Sequence, residues 1–236
     1  MDAVTNLSLN QLAMIALGGF AVFVALAWFG VRWFIRDIEE DWSQAADRLD
    51  LEYTTDNKDL LHRYRDLIRF PGQSPAIFDA LRGEQDGIRL SLLSYHSTLK
   101  KKSGFGEDEQ KHTTTFRSTY LILEHDRLHC PGFFLRRQGI FDLVGAILGE
   151  QDIEFATDAD FSDSFVLQGR PVEAIREYFD AGVRAVFLRR KNYGYSYRGQ
   201  PGQLALESQR ALQPAEVSHL IEDGLSLARD LIPAKF

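Results

Sequence analysis

The spacing of apolar residues changes along this chain, and each spacing predicts a different element. Residues 12–31 form an unbroken run of twenty uncharged, mostly apolar side chains. At about 1.5 Å per helical residue such a run is long enough to cross about 30 Å of hydrocarbon. It predicts a transmembrane helix over 12–35, behind a short extracytoplasmic N-terminus at 1–11. From Ile38 the apolar positions fall three to four apart, at Ile38, Trp42, Ala45, Ala46 and Leu49, with Glu39, Glu40, Asp41, Asp47 and Arg48 between them. That is an amphipathic helix, read as a stalk over 36–50 about 21 Å long.

Residues 51–236 make up the remaining domain, where the period shifts repeatedly. Ile88, Leu90 and Leu92 alternate with Arg89 and Ser91 after an Asp86-Gly87 turn signal, and Phe116, Ser118, Tyr120 and Ile122 alternate with Arg117, Thr119 and Leu121. Both stretches predict strands, and the segment KKKSGFGEDEQK between them reads as a solvated hairpin tip. Further strands are expected at 152–156, 165–168, 193–197 and 204–208. Pro171 opens a helix whose stripe of Val172, Ile175, Tyr178 and Phe179 ends near Gly182. Pro214 opens a last helix in the same way, with Val217, Leu220, Ile221, Gly224, Leu225, Ala228, Leu231 and Ile232 on one face and Pro233 as its stop. Strands and helices mix without a β-α-β alternation. The expected fold is therefore α+β: an N-terminal transmembrane helix followed by a mainly antiparallel sheet with packed helices.

The flanks of the apolar run give it an orientation. The leader MDAVTNLSLNQ has no Lys or Arg, and the run continues into bulky Trp28, Phe29, Trp33 and Phe34, unlike a cleaved signal peptide. Arg32, Trp33 and Arg36 have the chemistry of membrane-interface anchors. Arg32, Arg36 and Arg48 all follow the run, so the positive-inside rule puts the N-terminus outside and the C-terminal domain in the cytoplasm, as a single-pass protein of the cell membrane. The one cysteine, Cys130, cannot form an internal disulfide and suits a reducing compartment. Besides the lipid bilayer itself, the expected partner is a second copy: Gly18, Ala21 and Ala25 share one helical face and would let another helix approach closely.

A net charge of −7 disfavours a nucleic-acid partner, because phosphate neutralisation needs a net or locally dense positive charge. With 44% hydrophobic residues and 7 prolines the chain can build a sizeable core. Its densest basic and aromatic region joins Arg184, Arg189, Arg190, Lys191 and Arg198 to the alternating Tyr193, Tyr195 and Tyr197. Of these, Arg189, Arg190, Lys191 and Arg198 are the candidate contact with anionic lipid or a partner, at about 1 kcal/mol per basic residue near a charged surface.

Two ligand-like clusters fail on spacing. His125, His129 and Cys130 offer the donor types zinc prefers, but the Asp126-Arg127 turn signal removes the helical register they would need. Asp158, Asp160, Ser162 and Asp163 open like a calcium loop, yet Asp163 stands where glycine belongs and Gly169 where the closing glutamate belongs. Gly104 and Gly106 lack the Gly-Lys-Ser/Thr of a phosphate loop, and no G-x-S-x-G elbow occurs. No catalytic, cofactor or metal residues are assigned and no cofactor is expected. The resulting reading is a membrane-anchored, non-catalytic binding or scaffolding protein. Its alternative is a membrane-tethered enzyme whose acid–base residues are carboxylates and histidines such as His96, His112 or His125.

The order of signals also resembles one known group. After the apolar run come a stalk ending AADRLDLEY, a strand after GEQDGIRL, a CPGFFLRR segment, DIEFATDADFSDSFVLQG and a final helix. Together they resemble bacterial single-pass membrane proteins of unknown function over most of the chain. The resemblance implies architecture only and brings no activity or site residues.

Overall fold

The computed structural model describes residues 23, 24, 26–28, 36, 38–68, 73–103, 110–139 and 152–232. Chain contacts divide the protein into two compact units, Met1–Gln44 and Ala45–Phe236. In the first, residues 23, 24 and 26–28 are helical, and Phe23, Val24, Leu26 and Trp28 are exposed at 68, 48, 66 and 61%. Among the described residues no helix is long and apolar enough to cross a membrane. This corrects the expectation of a single-pass transmembrane protein. The one long described run of helix in this part of the chain, 38–49, is too short and is broken up by Glu39, Glu40, Asp41, Asp47 and Arg48. Most of 12–35, the segment 1–11, Gly18, Ala21, Ala25, Arg32 and Trp33 lie outside the described residues, while Arg36 is helical and exposed.

The amphipathic period from Ile38 does form helix. It ends because Asp50 takes a left-handed conformation, φ 54°, so that the Leu51 N–H reaches back to the Ala46 carbonyl at 2.9 Å. That bond satisfies a terminal carbonyl that a straight helix would leave open.

The second unit is built on a six-stranded antiparallel sheet: β1 Glu52–Thr54, β2 Gln73–Gln85, β3 Ile88–Ser103, β4 Gln110–Arg137, β5 Phe165–Gly169 and β6 Tyr195–Ser208. Its helices are α1 Lys58–Arg63, α2 Ala159–Ser164, α3 Val172–Tyr178, α4 Ala181–Leu188 and α5 Val217–Leu231. β4 is the axis. β6 runs along one edge of it, from Thr119↔Ser208 to Leu135↔Tyr197. A strand has only two edges, so β3, paired from Arg89↔Glu124 to Ser103↔Gln110, and β5, paired from Phe133↔Gly169 to Arg137↔Phe165, share the other. Between them residues 125–132 pair with neither, and the β4–β6 register slips twice, on either side of His129↔Pro201.

Register explains the layers. Ala80, Leu93, Tyr120 and Glu207 form one cross-strand row, and Leu81, Leu92, Leu121 and Leu206 the next. Because alternate rows face opposite sides, four consecutive residues, Tyr120, Leu121, Ile122 and Leu123, at 0% exposure require cover on both faces. On the first face that cover is Leu60, Tyr64, Leu67 and Ile68, from α1 and the turn after it. On the second it is α5, whose Gly224 sits directly on Leu121 and Leu123. Beyond the register slips the second face continues into an aromatic core where Phe133 packs on Tyr178, Phe179 and Phe187, and Phe187 on Tyr197.

The expected α+β architecture with an antiparallel sheet is present, with several boundaries moved. The separate strands expected at 193–197 and 204–208 are the two ends of β6, since Pro201 and Gly202 (φ 78°) are absorbed by the irregular pairing rather than ending the strand. Asp126-Arg127 lies inside β4 and makes no reversal. Residues 152–156 form no strand: Ile153 N–H donates to the Leu167 carbonyl, and then the Asp152 side chain takes over by accepting from Leu167 N–H. The single helix expected from 171 to 182 is α3 and α4, because the Asp180 carboxylate accepts from Val183 N–H at 2.8 Å and restarts the helix. The last helix begins at Val217, with Pro214 in the preceding turn.

A Cβ at Gly224 would stand 2.3 Å from Leu121 Cδ2 and 3.3 Å from Leu123 Cδ1. Gly224→Leu is expected to lower unfolding stability by about 1–3 kcal/mol through overpacking, despite a better helix propensity. Urea unfolding followed by circular dichroism checks this, and an unchanged or raised midpoint would show that α5 does not seat here.

Candidate functional site

Among the described residues, three groups of polar side chains in the second unit bear on function. The first surrounds Glu124, at the end of the regular β3–β4 pairing, with its side chain 10% exposed. Arg63 Nη2 donates to its two oxygens at 3.1 and 3.0 Å, Gln203 Nε2 to Oε1 at 2.8 Å and the Tyr64 hydroxyl to Oε2 at 3.1 Å. Tyr64 also meets Ser91 Oγ at 3.1 Å. Burial alone would raise the Glu124 carboxyl, but the hydrogen bonds from Gln203, Arg63 and Tyr64 outweigh it and hold the group below its usual range. A carboxylate with every lone pair engaged clamps α1 to the sheet; it has no capacity left to take a proton from a substrate.

The second cluster is the basic region. Arg189 is exposed but pairs with Asp230 at 3.1 Å. Arg190 is buried, its Nη2 donating to Asp230 at 2.8 Å and Ser226 Oγ at 2.9 Å and its Nη1 to the Val186 carbonyl at 2.9 Å. Arg184 is buried too, held by Asp158 at 2.7 Å and by the Phe179 carbonyl. Lys191 is exposed, and Arg198 is 5% exposed on β6. Of the four residues expected to form a contact surface, Arg190 and Arg198 are buried, and Arg189 and Lys191 are exposed. Tyr195 and Tyr197 do share a face, but it is turned inward: the Tyr195 hydroxyl donates to Asp223 at 3.2 Å, and Tyr197 is 1% exposed. Asp158, whose calcium-loop pattern already fails on spacing, caps α2 by accepting from Phe161 N–H and pairs with Arg184, which holds its carboxyl below the usual range.

The third is a cavity of about 220 Å³ where β4, β5 and β6 lie side by side. Its floor is a cross-strand row, Gln168–Phe134–Arg198, and Gly132, Arg170 and Gln200 also line it. A side chain begun at Gly132 would meet no atom within 4 Å. The Arg198 guanidinium lies 3.9 Å over the Phe134 ring.

The other candidate residues do not converge. His96, opposite Arg117, packs on Phe78 at 4.5 Å, and burial together with Arg117 lowers its pKa. His125 Nδ1 accepts from Arg127 N–H at 3.0 Å. His112 pairs with Lys101, thirteen residues before His125 on β4, about 40 Å at 3.3 Å per residue. His129 is exposed while Cys130 faces the opposite way, 3.1 Å from the Tyr178 hydroxyl, where burial pushes its thiol up to about 11. Strand alternation thus separates two of the three zinc-like donors, and among the described residues no group of three His, Cys, Asp or Glu could hold a metal ion.

No protein-family model matches the chain, and no curated protein matches it. Among solved structures its fold is similar to that of the mycobacterial trehalose monomycolate transport factor A, with a TM-score of 0.53 at 12% identity, over 85% of this chain and 99% of that one.

Because the Glu124 carboxyl sits below its unfolded value of about 4.3, its contribution is complete above that pH and is lost as pH falls through the folded-state value. Glu124→Gln should cost about 1–3 kcal/mol at neutral pH, since its amide N–H would face the donors of Arg63 and Tyr64. The variant should also lose less stability than the parent as pH falls from 5 to 3. Urea titrations at several pH values measure both effects; parallel acid limbs would remove the assignment.

Proposed function

We propose that this chain is a non-catalytic binding or scaffolding protein that works against a lipid bilayer. The observation that carries the reading is the exposed apolar surface of the first unit: Phe23, Val24, Leu26 and Trp28 within FVALAW, a stretch without a charge. Contiguous apolar surface of this kind marks an interaction site, because each square ångström left in water costs about 25 cal/mol. A bilayer suits it: the indole of Trp28 is at home at headgroup level, with its ring in the apolar layer and its N–H toward water.

Two further observations support a binding role over chemistry in the second unit. Three of its buried ionic side chains are committed to structural partners, Glu124 to Arg63 and Gln203, Arg184 to Asp158, and Arg190 to Asp230. The mycobacterial protein with a similar fold is a transport factor. An accessory role in moving amphiphilic cargo is the corresponding role here.

Co-sedimentation of the full chain with anionic vesicles tests the bilayer contact. The parent should pellet with the lipid, and a variant combining Phe23→Asp, Leu26→Asp and Trp28→Asp should stay in the supernatant. Equal partition of the two, or lipid-independent self-association of the parent in analytical ultracentrifugation, would overturn it.

A further inference from the structure

The buried arginines of the second unit are treated unequally. Arg184 and Arg190 are each satisfied by direct bonds to a carboxylate and a backbone carbonyl, at 2.7 Å to Asp158 and 2.8 Å to Asp230 for the carboxylates. Arg198 is as deeply buried, with its side chain 6% exposed, but its nearest carboxylate, Glu207 Oε2, stands 3.8 Å away. That is outside hydrogen-bonding distance. Its Nε–H has no partner either. A desolvated cation is costly unless it is both paired and hydrogen-bonded, and a guanidinium carries five donors.

Arg198 lines a cavity. Its 220 Å³ exceeds by several-fold the roughly 30 Å³ share of one water. Phe134 holds the guanidinium plane by a cation–π contact, which fixes the fork without using its N–H groups. Arg170 adds a second positive charge at the rim, Gln168 and Gln200 add amides, and Gly132 adds no side chain where a Cβ would meet nothing within 4 Å. Asp66 is the acidic residue in the lining, and it lies within 3.9 Å of Arg65.

We propose that the cavity between β4, β5 and β6 binds a small oxyanion, a carboxylate or phosphate group, gripped by the guanidinium of Arg198 with Arg170 at its mouth. A planar fork and a bidentate oxyanion match in geometry, and such charge-assisted bonds are about twice as strong as neutral ones. The proposal deepens the binding role and rests on it, but it does not depend on the bilayer contact.

Calorimetric titration of the full chain with inorganic phosphate and with acetate, without vesicles, is the test. The parent should bind at least one of them, saturably. Arg198→Gln should weaken that binding about tenfold or more. Gly132→Leu, which keeps Arg198 and adds bulk where nothing stands within 4 Å, should weaken it comparably, and a cooperative thermal transition confirms that each variant is folded. Absence of binding to both anions in the parent, or equal binding in both variants, overturns the site. Phosphatidic acid vesicles then separate the sources of the group: binding lost in Arg198→Gln identifies a lipid headgroup, and binding indifferent to it identifies a free small molecule. Failure of the vesicle co-sedimentation alone would leave the phosphate and acetate titrations unaffected.

Discussion

The second unit depends on the inability of its longest strand to run straight. β4 has 28 residues, which at about 3.3 Å each would reach about 90 Å, whereas a compact domain of this size has a radius of gyration of about 16 Å. The strand must bend, and it does so where its ladder is irregular, at residues 125–132 opposite the 199–203 stretch of β6. The partner strand records the bend directly. Arg198 and Glu207 are nine residues apart on β6, which would separate them by about 30 Å if extended, yet their side chains approach to 3.8 Å. Gly199, Pro201 and Gly202 stand at this point, residues that forgo side-chain packing or a ladder donor and so lose least from irregular pairing.

Bending gives the two faces different tasks. One face receives α5 in the first half and the aromatic cluster of Phe133, Phe179, Phe187 and Tyr197 in the second, and so is mainly apolar. The other is apolar only where Leu60, Tyr64, Leu67 and Ile68 cover it. Past the bend it presents Gln168, Phe134 and Arg198 in one row, around the space left at Gly132. The cavity is thus a product of topology. It forms because β3 and β5 share an edge of β4 without meeting, and because the helix that covers β3 does not extend over β5.

How much of this was legible in the sequence depends on how local each cause is. The pairing of β3 with β4, the helix from Ile38 and the buried stripe of α5 rest on periodicity within a single element and are present, although the β3–β4 ladder runs on to Ser103↔Gln110 through residues read as the hairpin tip. Strand continuity through Pro201 and Gly202, or through Asp126 and Arg127, depends on a neighbouring strand that tolerates a slipped register, and turn-forming residues cannot announce that. The break at Asp180 was nearer the surface of the sequence: Asp-Ala-Gly-Val fits an N-cap as well as it fits a helix interior, and the side-chain bond to Val183 decides between them. Membrane contact was read from composition, and the described residues retain its apolar chemistry in Phe23, Leu26 and Trp28 without a helix able to cross.

The site was harder to read because charge density and charge availability are different quantities. Arg189, Arg190 and Lys191 are consecutive, which makes them the most visible basic feature of the sequence, yet Asp230, some forty residues later, engages both arginines. Asp158, in a stretch whose calcium-loop pattern fails on spacing, is likewise engaged, by Arg184 and by the amide of Phe161. Arg198 had the opposite fate: an isolated arginine in a tyrosine-rich strand, it ends in the interior with a carboxylate too distant to bond and an aromatic ring that accepts its charge but not its protons. In a folded domain most buried ionic groups are closed off by their partners. The informative residue is the one whose donors remain in excess after the fold is complete, and Arg198 is in that position because a bend, not its neighbours in sequence, chose its surroundings.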